Sequence, residues 1–225
     1  MGEAIGQVLS FGVGVALSPM PIIAVVLMLA TPRGGRNGPA FLLGWIVGLG
    51  VVGPIVLLVS SGASASDNGS PATWTSILKL VLGLALLALA VKQWRGRPRG
   101  DDEAALPKWM ATIDAFTPAR SVAMGFALSA INPKNLILTA GAAAAIASTG
   151  TGTGDQAVAL AVFVVVGTLG PGAPVAIFFL MGERAHEILD GLKAWMAKEN
   201  VVIMAVLCLI IGTKLIGDAI SGPAG

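Results

Sequence analysis

Gly14-Val15-Ala16-Leu17-Ser18-Pro19-Met20-Pro21 lies inside a long apolar run, and Gly125-Phe126-Ala127-Leu128-Ser129-Ala130-Ile131-Asn132-Pro133-Lys134 lies inside another. The Gly-x-Ala-Leu-Ser element thus occurs twice, followed directly by Pro19 in the first copy and, after Ala130-Ile131-Asn132, by Pro133 in the second. Proline within a helix removes a hydrogen bond and clashes with the preceding turn. In lipid such a defect persists only where protein re-satisfies the backbone or where it lines a watery cavity. Two defects at matching places in the two halves of a chain point to a transporter binding site.

The rest of the composition fits a membrane setting. Of the 225 residues only 12% are charged, and the mean hydropathy is +0.85. Soluble domains carry about 25% charged residues. An Ala-rich soluble helical core is therefore excluded, and the expected class is an all-α integral membrane protein. A net charge of +2 offers nothing to nucleic acid. Cys208, the sole cysteine, forbids an intramolecular disulfide, and the sole histidine, His186, lies outside the apolar runs. Met1-Gly2-Glu3 lacks the basic start of a cleavable signal peptide, so the first apolar segment reads as a retained span.

Six transmembrane helices are expected, at 4–30, 39–61, 73–93, 119–148, 156–181 and 199–221. They divide into a first three-helix repeat (1–93), a cytoplasmic linker (94–118) and a second three-helix repeat (119–225). All 14 basic residues except Lys79, Lys134 and Lys214 fall in or beside loops 1–2, 3–4 and 5–6; loops 2–3 and 4–5 and both termini hold none. The positive-inside rule puts the basic loops in the cytoplasm and both termini on the outer side of a bacterial inner membrane. Trp109, Ile113 and Phe116, and likewise Ile188, Leu192 and Trp195, follow i, i+4, i+7. Each set predicts a short helix lying at the membrane interface. Arg95 to Glu103 reads as a solvated hinge.

The halves look like copies. Besides the Gly-x-Ala-Leu-Ser pair, span 2 holds Gly48-Leu49-Gly50-Val51-Val52-Gly53-Pro54 and span 5 holds Gly167-Thr168-Leu169-Gly170-Pro171. Three spans per repeat force the copies into opposite orientations, the inverted-repeat design of many secondary transporters. Small residues such as Gly44 and Gly48 also let helices pack closely, and Gly-rich faces point to a homodimer.

The breaks predict the chemistry. Ser18 is positioned to cap a half-helix beginning with Pro19 and Pro21, and Asn132 one beginning with Pro133. The two N-termini are expected to face each other with unpaired N–H groups and partial positive charge. Lys134 adds a full charge, which suits phosphate, sulfate or carboxylate. A lysine at mid-bilayer costs about 2.5–3.5 kcal/mol on insertion scales, so its presence argues for function; the structural alternative is that Lys134 only stabilises the carbonyl ends of the preceding half-helix. The expected substrate site is Ser18, Pro19, Pro21, Asn132, Pro133, Lys134 and Asn135. Lys79, Thr139, Thr168, Lys214 and Asp218 are secondary polar positions; Lys79 and Lys214 read as structural, snorkelling or pairing with Asp218 one turn beyond Lys214. No Asp or Glu lies near the middle of a span to relay protons, and the spans hold no acid–base pair or ligand set for an enzyme, a metal or a cofactor.

Ser18-Pro19-Met20-Pro21 and Asn132-Pro133-Lys134, in a six-span chain of this size, resemble the LysE-type transporter superfamily. Its amino-acid exporters carry a Pro-Gly-Pro-like break in the first span, where this chain has Met20 in place of the glycine. From Gly2 to the end of span 6, including Leu17 to Pro21 and Ala130 to Asn135, the chain more closely resembles the GAP family, the sulfolipid- or peptidoglycolipid-addressing proteins of actinobacteria. That resemblance implies movement of an anionic envelope glycolipid or lipid-linked sugar across the inner membrane by alternating access, with membrane lipids around it. Two other readings stand beside it. One is a LysE-like exporter of amino acids or small polar solutes. The other is an accessory subunit with partners in an envelope-lipid synthesis or export machine. A single cysteine rules out thiol–disulfide electron carriage, and a single histidine rules out a His-rich nickel or cobalt exporter.

Overall fold

The computed structural model describes residues 2–66, 71–96 and 108–221. Among them every regular element is helical: α1 (Gly2–Ala16), α2 (Pro19–Leu29), α3 (Gly34–Ser66), α4 (Pro71–Arg95), a 3-10 segment (Lys108–Ala115), α5 (Pro118–Phe126), a π-turn (Ala127–Ile131), α6 (Pro133–Ser148), α7 (Thr153–Leu180) and α8 (Arg184–Ile220). Four helices are long and apolar enough to cross a membrane, within α3, α4, α7 and α8. The α1–α2 pair, bent by 52° at its break, can serve as a fifth span. The stretch from Pro118 to Ser148 is cut into pieces of 9, 5 and 16 residues, and no piece reaches the roughly 20 residues a spanning helix needs.

Proline alone does not cut a helix here. Pro39 and Pro54 lie inside α3, and Pro171 and Pro174 inside α7. Three of these four follow glycine. The clash that drives a pre-proline residue out of the helical region involves its Cβ, which glycine lacks. Ala173-Pro174 is the exception. Pro171 has no N–H for Gly167 O, and the Trp45 indole of α3 donates to that carbonyl instead, at 3.3 Å. Ser18 and Asn132, which carry a Cβ, are the residues where the chain leaves the helix.

Helices of the first half pack on helices of the second. α1 lies along α7, α5 along α3, and α4 along α8. Small residues set the spacing: a Cβ on Gly44 would run into Val122 O, one on Gly125 into Phe41 O, and one on Gly170 into Ala16 O. Buried residues from all these helices, among them Phe11, Phe41, Trp45, Leu138 and Phe163, form one core cluster or pack beside it. Large apolar side chains that remain exposed, such as Leu58, Val165 and Leu180, face outward from it.

Two expectations are corrected. Ile188, Leu192 and Trp195 do not form a separate interfacial helix; they belong to the first turns of α8, which runs unbroken from Arg184 because nothing between 184 and 200 stops a helix. Ala185, Leu189 and Met196 are its buried face there, while Ile188 and Trp195 point outward. In the linker, Ile113 and Phe116 are buried in the core rather than spread on an interface. Asn37 Nδ2 holds this segment by donating to Phe116 O at 3.1 Å. The Trp109 side chain, residues 97–103 of the hinge and residues 104–107 after it lie outside the described residues.

Candidate functional site

Ser18 and Asn132 each precede a proline, and each has the extended backbone that such a residue prefers: φ −84°, ψ 108° at Ser18 and φ −59°, ψ 121° at Asn132. Each proline then opens a new helix, where its missing N–H costs little. The caps differ. The Asn132 side chain accepts from Lys134 N at 3.1 Å, as expected. The Ser18 side chain caps nothing locally. Its hydroxyl crosses to the other break, donating to Asn135 Oδ1 at 3.0 Å and accepting from Lys134 Nζ at 2.7 Å.

The π-turn explains Asn135. In it Asn132 N bonds back to Ala127 O, so Leu128 O loses its usual helical partner. Asn135 Nδ2 donates to Leu128 O at 2.8 Å. The result is one directional chain from Lys134 Nζ to Ser18 Oγ, from Ser18 to Asn135, and from Asn135 to Leu128 O. It fastens the start of α2 to the start of α6 across more than a hundred residues of sequence.

Lys134 is the electrostatic centre. It is 3% exposed, its other neighbour is Met204 Sδ at 3.6 Å, and no carboxylate pairs with it among the described residues. A buried charge is costly unless paired, so an ammonium held only by a hydroxyl and a thioether retains most of its capacity to bind an anion. It lies on the wall of a partly open cavity of about 190 Å³. The break residues Ser18 to Pro21 and Asn132 to Lys134 form one side, and Leu89 and Gln93 of α4 with Asn200, Met204 and Cys208 of α8 form the other.

The helix N-termini contribute less than expected. Each helix start has four N–H groups without an intrahelical acceptor. At α2, Ser18 N bonds to Val15 O and residues 19 and 21 are prolines, leaving at most Met20 N. At α6, Asn132 N bonds to Ala127 O, residue 133 is proline and Lys134 N is capped, leaving at most Asn135 N. The proline that creates each break also strips its donors, so the charge at this site is chiefly that of Lys134.

Of the site residues expected from sequence, Ser18, Pro19, Pro21, Asn132, Pro133 and Lys134 line the cavity, and Asn135 is buried behind them. Thr139 and Thr168 bond to carbonyls of their own helices, Asn135 O and Val164 O, and do not line the cavity. Lys79, Lys214 and Asp218 gather elsewhere, toward the start of α4 and the end of α8. Lys214 Nζ donates to Asp218 Oδ2 at 2.6 Å and to Gln7 Oε1 at 3.1 Å, and it sits 5.6 Å from the Phe11 ring centre. Lys79 Nζ donates to Ser148 Oγ at 2.9 Å. Sequence reasoning missed Gln93, Asn200, Met204 and Cys208. The only signal for the first two was a polar residue at the edge of an apolar span; Met204 and Cys208 carried none.

A family model described as SfLAP, "Sap, sulfolipid-1-addressing protein", matches residues 8–221, a stretch that contains both breaks and every residue of the cavity. No curated protein and no solved structure matches the chain.

Proposed function

From a chain that belongs to the sulfolipid-1-addressing protein family, we propose a membrane transporter that moves an anionic glycolipid or lipid-linked sugar of the cell envelope across the inner membrane. The observation that carries this reading is Lys134: a buried ammonium without a carboxylate, on the wall of a cavity where two broken helices meet. The anionic group of the cargo completes its coordination, with Ser18 as the neighbouring hydroxyl.

Size limits what enters. Pockets that enclose a whole small molecule measure about 300–1,000 Å³. A cavity of about 190 Å³ takes a sulfate or phosphate group and not a disaccharide with its tails. The remainder of the lipid stays outside the bundle, which requires a side opening. Ile131, 65% exposed, and Pro133 lie at the surface beside the second break, at the depth of Lys134, and supply an edge for such an opening.

In this reading the pieces from Pro118 to Ser148 act as the sixth span, the halves are inverted repeats, and alternating access works around the paired breaks. The exchange of partners supports it: the first part of each broken span packs on the long middle helix of the other half, α1 on α7 and α5 on α3. The positive-inside rule then puts Gln93 and Asn200, which line the cavity, on the cytoplasmic side. The test is envelope lipidomics of a deletion strain complemented with wild-type protein or Lys134→Ala. Cargo building up in the inner membrane and disappearing from the surface, with rescue by wild type alone, supports the proposal. Unchanged lipids with altered amino-acid efflux replace it with the solute-exporter reading.

A further inference from the structure

The polar cluster at the opposite end of α4 and α8 has no role in anion capture, and its geometry points to one. α4 and α8 run antiparallel: Leu89 and Gln93 meet Asn200, Met204 and Cys208 at the cavity, while Lys79 lies near enough to Lys214 and Asp218 to feel their charges. Between these two regions the helices touch backbone to backbone. A Cβ on Gly83 would stand 2.9 Å from Gly212 O, and one on Gly212 would stand 3.0 Å from Gly83 O. Along both helices the order is the same: cavity, glycine crossing, charged cluster.

We propose that the Lys79–Ser148 and Lys214–Gln7 contacts are the closed outer gate of the transport pathway, and that α4 and α8 work it by tilting about the Gly83–Gly212 crossing. The proposal rests on the transporter reading above. Each contact joins the two halves of the chain. Lys79 of the first half reaches Ser148 of α6, and Lys214 of the second reaches Gln7 of α1. Any movement of one half against the other at this end must part them. Both are hydrogen bonds from an ammonium to a neutral oxygen, so water can replace the acceptor at little net cost. Lys79 is 6% exposed, and among the described residues no carboxylate pairs with it, although Asp218 attracts it. A permanent seal would be better made of apolar side chains, since burying such a charge weakens the closed state. Asp218 holds Lys214 through the salt bridge, which keeps that side chain directed at Gln7. Leu86, Leu87 and Ile216 pack around this crossing, and the missing glycine side chains bring the two backbones closest there, which makes it the point about which the helices tilt.

The reporter is Met204→Cys in a Cys208→Ser background: Met204 lines the cavity 3.6 Å from Lys134 Nζ and is part-exposed, whereas Cys208, the sole native thiol, is 1% exposed. A membrane-impermeant maleimide is applied to right-side-out and to inverted membrane vesicles holding the full chain. With the gate residues intact, the Met204→Cys thiol is expected to react in inverted vesicles and to stay near background in right-side-out ones. Ser148→Ala/Gln7→Ala is expected to raise outer-face labelling at least about fivefold, because in the closed state it leaves the buried Lys79 ammonium without its acceptor and Lys214 with Asp218 alone. Outer-face labelling that stays at background in this double variant overturns the gate. A second arm covers misfolding: in a Cys208→Ser background, Gln7→Cys and Lys214→Cys are joined by a reducible bifunctional thiol reagent. Export is expected to stop with the linker in place and to resume on reduction. Export that continues through the intact linker overturns the gate as well. Loss of export in Lys134→Ala with neither gate result removes the gate and leaves the transporter; both gate results with normal export in Lys134→Ala keep the gate and remove Lys134 from anion capture.

Discussion

The two breaks start from similar sequence and are solved differently. At Asn132 the repair is local: a π-turn absorbs the extra residue, the Asn132 side chain caps Lys134 N, and Asn135 takes up the orphaned Leu128 carbonyl. At Ser18 only the backbone closes locally, Ser18 N on Val15 O, and no side chain caps the new helix. The hydroxyl that normally caps a helix leaves its own backbone and joins Lys134 and Asn135 of the other break. The second break is therefore a self-sufficient platform, and the first is completed by it. The difference teaches that the motifs divide their labour: Asn132-Pro133-Lys134-Asn135 builds the site, and Ser18-Pro19-Met20-Pro21 closes it.

The sharpest test of that division is Lys134→Met. Export is expected to fall at least about tenfold, because the site loses its only unpaired charge and a charge-assisted hydrogen bond. The same variant is expected to melt at a higher temperature in detergent, since a buried ammonium without a carboxylate destabilises the fold. A lower melting temperature would mean that Lys134 holds the breaks together instead of waiting for an anion. Asn135→Ala comes next. It leaves Leu128 O without its donor and the Ser18 O–H without its acceptor, and a loss of about 1–3 kcal/mol of stability is expected in chemical denaturation. Asn135→Asp keeps the shape and puts a carboxylate one hydroxyl away from Lys134; export is expected to drop with that variant still in the membrane, as judged by its abundance in the membrane fraction.

Smaller effects separate the caps. Asn132→Ala is expected to cost about 1 kcal/mol, the value of a lost N-cap. Ser18→Ala has no local cap to lose, so its stability is expected to change less than that of Asn132→Ala while its export falls further. The reverse ranking, measured on both variants side by side, would erase the contrast between the breaks. The smallest expected change is in Trp45→Phe, at about 1 kcal/mol or less, because it removes one 3.3 Å hydrogen bond to the carbonyl left open by Pro171.

Much of this was legible before any coordinates. Ser18 and Asn132 could be singled out because a residue with a Cβ before proline avoids the helical region, a rule that acts between neighbours in the chain. The same rule, with the glycine exemption applied, accounts for the uninterrupted course of α3 and α7 through Gly53-Pro54 and Gly170-Pro171. Lys134 stood out because a lysine in an apolar run is costly enough to need a reason. The linker and the start of α8 were misjudged for one cause: an i, i+4, i+7 pattern identifies a face but not what covers it. Ile113 and Phe116 are covered by protein, and the pattern in α8 was offset from the buried face Ala185, Leu189 and Met196.

The chain's own chemistry fixed its helical class, its apolar spans, the positions of the breaks and the lysine beside one of them, because each follows from neighbours along the backbone or from the cost of charge among apolar residues. The path of the Ser18 hydroxyl, the second wall of the cavity from Gln93, Asn200, Met204 and Cys208, and the gathering of Lys79, Lys214 and Asp218 beyond the Gly83–Gly212 crossing were decided by packing. They depend on which helices lie side by side and how closely, and that is set by the fit of many small contacts at once, which no local stretch of residues encodes.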